Sequence, residues 1–586
     1  MTSVLLETLR ESDEDNRTIW IHSPEIILSA GTPGEVETVL CEVEKYVSRG
    51  FFAAGFLAYE SGYAFLPAII EAPELQYPMA WFAVTRTPQY LIPGQLPDGF
   101  GGVDAAGISD LCLSLSPDEY ASHIDSIRRY IEKGETYQVN FTMRYNGLLT
   151  GSSRGLYRQL RAKQRVPYAA FIESDEWTIL SLSPELLIRK QNSEIMVRPM
   201  KGTSSRGRTL EEDAQLSQIL LQSEKERAEN LMIVDLLRND LGKICQPGTI
   251  EVAKPLEVEK YETVLQMTST IEGKALPDLS LYQMMHAVFP SGSVTGAPKL
   301  RTAQIIQELE KSPRGIYTGA IGYVSSTKSV FNVAIRTVVV DQRTDRLEMG
   351  VGSGILYEAD ALREYEECRL KGRFLTDPPL DFQLVEAILW LPESGFQRLD
   401  FHLERLINSA GYFVIPLRRE RVTEALPQLA LKAENPQRVR ILVDRDGFVD
   451  IVSTELESMD SNLVGWSGTA TDSFDRFLYH KTTARKMYTQ ELDGARRKGL
   501  FDVLFCNERG EVTEGAISNI FILKNRIYYT PPVSCGLLAG TYRRYLMEQN
   551  ESAVVERVLF PEDVAKADAV YVCNTLRGLV QVQLVE

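Results

Sequence analysis

The apolar positions of the chain fall into clear runs. From Pro117, Tyr120, Ile124, Ile127 and Ile131 recur at intervals of three and four, which predicts a helix. Ser116 with Glu119 three residues on reads as a capping box, and Gly134 ends the stripe. A second helical pattern covers Leu216–Asp240 and a third Ala359–Leu375. "GFFAAGFLAYESGYAF" (Gly50–Phe65) reads as strand, then turn. Shorter runs at Ala169–Ile172, Ile179–Leu182 and Ile195–Arg198 are strand-like. Two adjacent prolines in "TDPPLDF" mark a domain boundary near Asp377–Asp381, giving domains 1–376 and 377–586. After it the pattern restarts with a strand, "FQLVEAILW", a helix, "HLERLINSAGYF", and further strands and a helix. There is no internal repeat and no low-complexity tract. The expected class is α/β (α+β).

Length and charge narrow the partners. A chain of 586 residues needs more than one core. Its net charge of -17 argues against nucleic acid, whose binders carry basic patches. Seven scattered cysteines without a CxxC pair fit reduced thiols in the cytoplasm. The start, "MTSVLLETLRESDEDNR", lacks the basic and apolar regions of a signal peptide, and no apolar run approaches a membrane span of ~20 residues. A cytoplasmic protein without membrane or nucleic-acid partners is the expectation.

Several features carry chemistry. Glu226 and Glu229 share a face of the second helix, and Asp360, Glu364, Glu367 and Lys371 share one on the third. Such stripes are usually solvated. Facing each other across a cavity, they would offer the oxygen ligands that suit Mg²⁺. "FPSGSVTGAPK" (Phe289–Lys299) reads as a glycine turn before a helical pattern, fit to hold an anion, and "GVGSGI" (Gly350–Ile355) as a second glycine turn. Arg336, in the strand-like "VFNVAIRTVVV", is suited to a carboxylate. Lys201, in "VRPMKGT", is either a solvated loop lysine or an amine held as a nucleophile.

From Ser116 to Leu375 the chain strongly resembles the chorismate-utilising enzymes, the family of anthranilate, isochorismate and aminodeoxychorismate synthases. The resemblance rests on "GETYQVNFT", "SLSPELL", "RPMKGT", "ERAENLMIVDLLRND", "PSGSVTGAPK", "GAIGY", "IRT", "GVGSGI" and "EYEE", in that order. It implies a sandwich of antiparallel sheets with outer helices. It implies Glu229 and Glu367 as Mg²⁺ ligands, with Glu226 and Glu364 nearby, and Glu185 as general acid at the departing ring hydroxyl. Arg336, Thr295, Gly296, Ala297, Lys299, Gly352 and Gly354 would hold chorismate. Relatives making anthranilate or isochorismate resemble this chain but carry alanine at the Lys201 position, whereas aminodeoxychorismate synthases carry lysine. The resemblance thus implies a lysine that adds at C2 and is displaced by ammonia at C4. Some relatives have His-His where this chain has Leu265 and Gln266.

Residues 377–586 resemble the fold-type IV pyridoxal-phosphate enzymes, which include branched-chain and D-amino acid aminotransferases and aminodeoxychorismate lyase, a two-subdomain fold. "HLERL", "HKTTARKMY", "DVLFCNERGEVTEGAISNIF", "YTPPVSCGLLAGTYRR" and "VYVCNTLRG" carry this. Lys481 then holds the cofactor, Glu514 faces the pyridine nitrogen, and Arg405, Thr541 and Thr575 match phosphate-binding positions. Arg577 is a weaker candidate for a substrate carboxylate and Asn519 for turn structure. Together the halves imply amination of chorismate to 4-amino-4-deoxychorismate, then loss of pyruvate to give 4-aminobenzoate for folate. No Gly-x-Cys-x-Gly elbow is present, so a separate glutamine amidotransferase subunit is expected to supply ammonia, and a homodimer through the second domain is allowed. The alternatives are an amino acid aminotransferase or a silent module in the second half, and an anthranilate synthase in the first.

Overall fold

The computed structural model describes residues 2–10, 15–66, 73–101, 106–377, 381–426, 433–549 and 553–585. The chain divides into two compact units. The first takes Met1–Ser204 and Ile219–Leu380, and the second takes Ser205–Gln218 and Asp381–Glu586. The sequence boundary near Asp377–Asp381 therefore has a companion inside the first half that no composition shift announces. Pro378 and Pro379 lie outside the described residues.

The first unit holds two antiparallel sheets. One runs, edge to edge, Gly296–Ala297, Gln138–Thr150, Arg346–Ile355, Thr337–Asp341, Trp177–Ser183, Tyr168–Glu173, Ser3–Glu7, Thr18–His22 and Gln89–Tyr90. The other runs Met200–Ser205, Val264–Lys274, Glu194–Arg198, Leu186–Gln191, Lys328–Val333, Ala320–Val324, Phe52–Leu57, Ala80–Thr85 and Ile26–Ala30. Period-two alternation decides what each face buries. In Ser3–Glu7, Val4 and Leu6 join a core with Phe52, Ala54 and Phe56 of the facing sheet, while Leu5 turns to a second core under the helices. That second core includes Tyr120, Ile124 and Ile127 of helix Pro117–Glu132, which starts at the expected Ser116–Glu119 capping box. A third core covers the far face of the other sheet with helices Pro33–Ser48, Glu224–Leu241 and Leu281–Val288.

Three sequence expectations are corrected here. The second helical pattern is two helices, Leu210–Gln222 and Glu224–Leu241, separated at Ser223, whose hydroxyl accepts from Glu226 N. "GVGSGI" is the end of strand Arg346–Ile355, paired with Gln138–Thr150 in the register Gly352↔Thr142 and Gly354↔Asn140. "VFNVAIRTVVV" breaks into strands Lys328–Val333 and Thr337–Asp341, with Arg336 between them at a φ of 52°.

In the second unit, Gly395–Phe396, Leu384–Leu391, Gln437–Val443 and Val449–Glu455 form an antiparallel sheet packed on helix Leu399–Tyr412. A second, eight-stranded sheet is mixed: Leu463–Trp466 pairs in parallel with both Asp502–Cys506 and Gly578–Leu584. Among the described residues, no helix is long and apolar enough to cross a membrane.

Candidate active sites

Each unit has its own cavity. The first, of about 210 Å³, is walled by Glu185, Lys201, Glu226, Glu229, Gln266, Ser293, Arg336, Gly352, Gly354, Glu364, Glu367 and Lys371, among others. The helices Glu224–Leu241 and Ala361–Thr376 thus place their acidic faces on one cavity, as the i, i+3 spacings require. Burial is the main influence raising Glu226, Glu229 and Glu364 above the usual carboxylate range. Glu367 differs: burial would raise it, but Lys371, 2.7 Å away, holds it down. The positive charge of Lys201 favours ionisation of Glu226, Glu229 and Glu367 alike.

Glu185 is 4% exposed, and burial pushes its carboxyl up to about 7 against the opposing Ser293 hydrogen bond and the Lys201 charge. Ser293 Oγ donates to its Oε1 at 2.6 Å. A carboxyl at that value carries a proton over much of the neutral range and can deliver it to a leaving oxygen. Lys201 sits on strand Met200–Ser205 with its carbonyl accepting from Asn230 Nδ2 at 3.2 Å. A Cβ on Gly354 would stand 2.4 Å from Lys201 Nζ and 2.2 Å from Gln138 Nε2, so glycine is needed there for both side chains to enter. Gln138 is fully buried, and neither of its amide atoms has a hydrogen-bond partner. It lay within the "GETYQVNFT" motif without a role, and only the fold reveals its unpaired amide. Arg336 also keeps Nη1 buried without a partner, and burial lowers its guanidinium to about 10 despite Tyr261 and Glu262. Buried polar atoms without partners are rare enough to point to a missing ligand.

The "PSGSVTGAPK" segment divides. Ser293 and Val294 line the cavity, but Thr295, Gly296 and Ala297 do not. Gly296–Ala297 pairs with Gln138–Val139, and a Cβ on Gly296 would collide with Gln138 O at 2.1 Å, so this glycine serves sheet pairing. Lys299 is off the cavity wall: its ammonium is bound to Asp240 Oδ2 at 2.9 Å. Lys299, expected from the sequence to hold the substrate, is here paired with Asp240. Leu265 is in the core, and Gln266 braces the strand just after Lys201, its Nε2 donating to Gly202 O at 2.9 Å and its Oε1 accepting from Thr203 at 3.0 Å. Among the described residues, no three acidic, cysteine or histidine groups are grouped as a preformed metal cage. The oxygen-only donor set of Glu229 and Glu367 nonetheless fits Mg²⁺, which commonly takes one or two carboxylates and completes its shell with water and substrate.

The second cavity, of about 960 Å³, is walled by Lys481, Glu514, Arg405, Thr541, Thr575, Asn519, Gly540 and Arg577, among others. Burial, followed by the Arg405 and Arg485 charges, brings the Lys481 amine down to about 7, against Glu386 and Glu514. Glu514 is pushed up to about 7 by burial, although Arg485 and Leu538 N oppose this. Its Oε2 accepts from Leu538 N at 3.2 Å and Asn519 Nδ2 at 3.3 Å. Sequence reasoning missed Glu386 and His402. Glu386 receives Arg405 through Nε at 2.8 Å and Nη2 at 2.7 Å, and its Oε2 accepts from His402 Nδ1 at 2.7 Å. The other histidine nitrogen meets Thr575 Oγ1 at 3.0 Å and Thr541 Oγ1 at 3.3 Å. One buried carboxylate therefore orders Arg405 and, through His402, both threonines. The i, i+3 spacing of His402 and Arg405 in "HLERL" was the available signal. Arg577 donates to the carbonyls of Glu457 and Ser458 at the same cavity. A lysine, a buried carboxylate and a cluster of arginine and hydroxyls fit pyridoxal phosphate, whose aldehyde, ring nitrogen and phosphate need those three kinds of partner.

Comparison with known proteins finds a family match on each half of the chain. Residues 103–377 match the family described as chorismate binding enzyme, and residues 383–585 match amino-transferase class IV. The chain is 43% identical over 266 residues to a probable chloroplastic aminodeoxychorismate synthase of Oryza sativa subsp. japonica, covering 44% of this chain and 30% of that protein. It is 38% identical to aminodeoxychorismate synthase component 1 of Bacillus subtilis, covering 43% of this chain and 54% of that one. The chain thus spans about half or less of the length of these relatives. The crystal structure of anthranilate synthase component I from Streptococcus pneumoniae is 26% identical, with a TM-score of 0.54, over 62% of this chain and 93% of that one. By these two matches, residues 103–377 are similar to the chorismate binding enzymes and residues 383–585 to the class IV amino-transferases.

Proposed function

We propose that the chain aminates chorismate to 4-amino-4-deoxychorismate in the first cavity and removes pyruvate from that product in the second, giving 4-aminobenzoate. The observation that carries the reading is the meeting of Lys201 with Glu185 and the four glutamates on one cavity wall. The Lys201 amine adds to C2 of chorismate. The ring electrons shift, and the C4 hydroxyl leaves as water with the proton of Glu185. Ammonia then adds at C4, the electrons return, and the C2–N bond breaks to free Lys201. Arg336 takes a substrate carboxylate. Glu229 and Glu367 would hold Mg²⁺, which screens the substrate's negative charge.

In the second cavity Lys481, Glu514, Arg405, Thr541 and Thr575 would hold pyridoxal phosphate. When bound, that cofactor supplies an electron sink for the carbon bearing the amino group. Lys481, near neutral by burial, removes the proton at C4, and pyruvate leaves as the ring becomes aromatic. Ammonia comes from a separate glutamine amidotransferase subunit, and the chain works in the cytoplasm. The test supplies chorismate, Mg²⁺, ammonium and pyridoxal phosphate and measures 4-aminobenzoate and pyruvate in equal amounts. Anthranilate in their place, or product from glutamine without a partner subunit, would overturn the reading.

A further inference from the structure

Residues 205–218 lie within the span that matches the chorismate binding family, yet they belong to the second compact unit. Their contacts are specific. Asp213, fully buried, accepts from Arg206 Nε at 3.0 Å and Nη2 at 2.6 Å and from Gly207 N at 2.9 Å, closing the segment into a clasp. Arg206 also donates to Tyr412 O at 2.7 Å and lies 4.6 Å over the Tyr412 ring. The Tyr412 hydroxyl donates to Gly207 O at 2.7 Å, and its ring also stacks on His480 at 4.3 Å. His480 Nε2 donates to Arg208 O at 3.0 Å, while Nδ1 accepts from Ser409 Oγ at 3.0 Å. Burial keeps that ring neutral, at about 4, which the two hydrogen bonds require. Arg208 Nη1 reaches Tyr479 Oη at 2.7 Å and Ser473 O at 3.2 Å.

The residue after His480 is Lys481. On its other side the backbone is tied to strand Leu384–Leu391: Lys481 O accepts from Val385 N at 2.9 Å, and Thr483 exchanges bonds with Gln383. Lys481 is thus held between the strand and the 205–218 segment. A lysine amine on four rotatable bonds needs a fixed backbone to keep one place in a cavity of this size.

We propose that residues 205–218 form a strap that acts as a positioning element for Lys481, so that the second site depends on sequence lying inside the first family's span. This rests on Lys481 being the cofactor-holding lysine. None of the strap residues lines the second cavity, so they act through His480.

The test uses the full chain and the Asp213→Ala variant. Hydrogen exchange of cofactor-free protein should quicken over 205–213 and 479–483. The dissociation constant for pyridoxal phosphate should rise about tenfold, and the pH at which the visible band of the lysine-bound cofactor titrates should move by about one unit, as expected if Lys481 loses its fixed surroundings. Asp213→Glu should restore most of both, and ammonium-dependent chorismate consumption should stay within about twofold of the parent. If Asp213→Ala does not fold, Tyr412→Phe removes the hydroxyl that bonds Gly207 O and interacts with Arg476, keeps the ring, and should give the same shifts at about a third of the size. Unaltered cofactor affinity and titration in a folded variant whose 205–213 exchange has quickened would overturn the strap. Failure of the unaltered chain to bind pyridoxal phosphate would instead overturn the reading of Lys481.

Discussion

Replacing Glu386 by glutamine removes one charge from the centre of the second site and tests how that site is held. The carboxylate is 1% exposed and is ringed by Arg405 and His402. Burial alone would raise it, but Arg405 and then His402 overcome that and bring it from the ordinary 4.5 down to about 2. A depressed carboxylate stabilises the fold above its unfolded value and loses that contribution as the pH falls toward the folded one. At 1.36 kcal/mol per pH unit the difference is roughly 3 kcal/mol at pH 7 and about 2 kcal/mol at pH 3.5. The figure agrees with the roughly 3–5 kcal/mol lost when one partner of a buried ion pair is removed. In cofactor-free protein, amides of strand Leu384–Leu391 should exchange on the order of 100-fold faster in Glu386→Gln than in the parent at pH 7, and about 30-fold faster at pH 3.5. A ratio below about fivefold at pH 7, or one that does not fall between the two pH values, would refute the view that this charge, paired as observed, holds the second site together.

Four further outcomes test the two cavities. Lys201→Ala should lose at least about 100-fold in formation of aminodeoxychorismate while still binding chorismate, measured by product analysis and calorimetry; an unchanged yield would return Lys201 to a solvated lysine. Glu229→Ala or Glu367→Ala should abolish the first step and spare pyruvate release from supplied aminodeoxychorismate, which a coupled dehydrogenase assay follows. Lys481→Ala should consume chorismate, accumulate aminodeoxychorismate and release no pyruvate, and mixing it with Lys201→Ala should restore 4-aminobenzoate if the intermediate diffuses. Because burial raises Glu185 to about 7, the rate of the first step should fall as pH rises through that region, and Glu185→Gln should remove this limb from the pH–rate profile along with most of the rate.

Local signals were readable in the sequence, and long-range ones were not. The Ser116–Glu119 capping box and its apolar stripe need only neighbouring residues, and the helix begins where they place it. The break at Ser223 was hidden because the apolar and charged pattern continues across it; only the serine's bond to Glu226 N marks the new start. "GVGSGI" was misread because glycine signals a turn locally, whereas here it clears space for Tyr317, Phe141 and Gln138 beside a strand. Lys299 sits in a motif with real cavity residues, but Asp240, 59 positions away, takes its charge. The link from Arg206 to Tyr412 spans 206 positions and leaves no periodic trace.

The two-part course of the second unit also sets an order of events during synthesis. Arg206, Gly207, Arg208 and Asp213 leave the ribosome long before their partners Tyr412 and His480 exist. Between Asp213 and His480 lie 267 positions of chain, which at roughly 5–20 residues per second is between about 10 and 50 s of translation. Over that interval the clasp of Arg206 on Asp213 can close by itself, since both ends are local, but the carbonyls of Gly207 and Arg208 have only water to bond. Synthesis of the second domain therefore completes a structure begun inside the first family's span. Two genes cut at residue 380 would not reproduce it, because the later product would emerge with the Tyr412 ring and the His480 Nε2 turned toward a partner carried on another molecule.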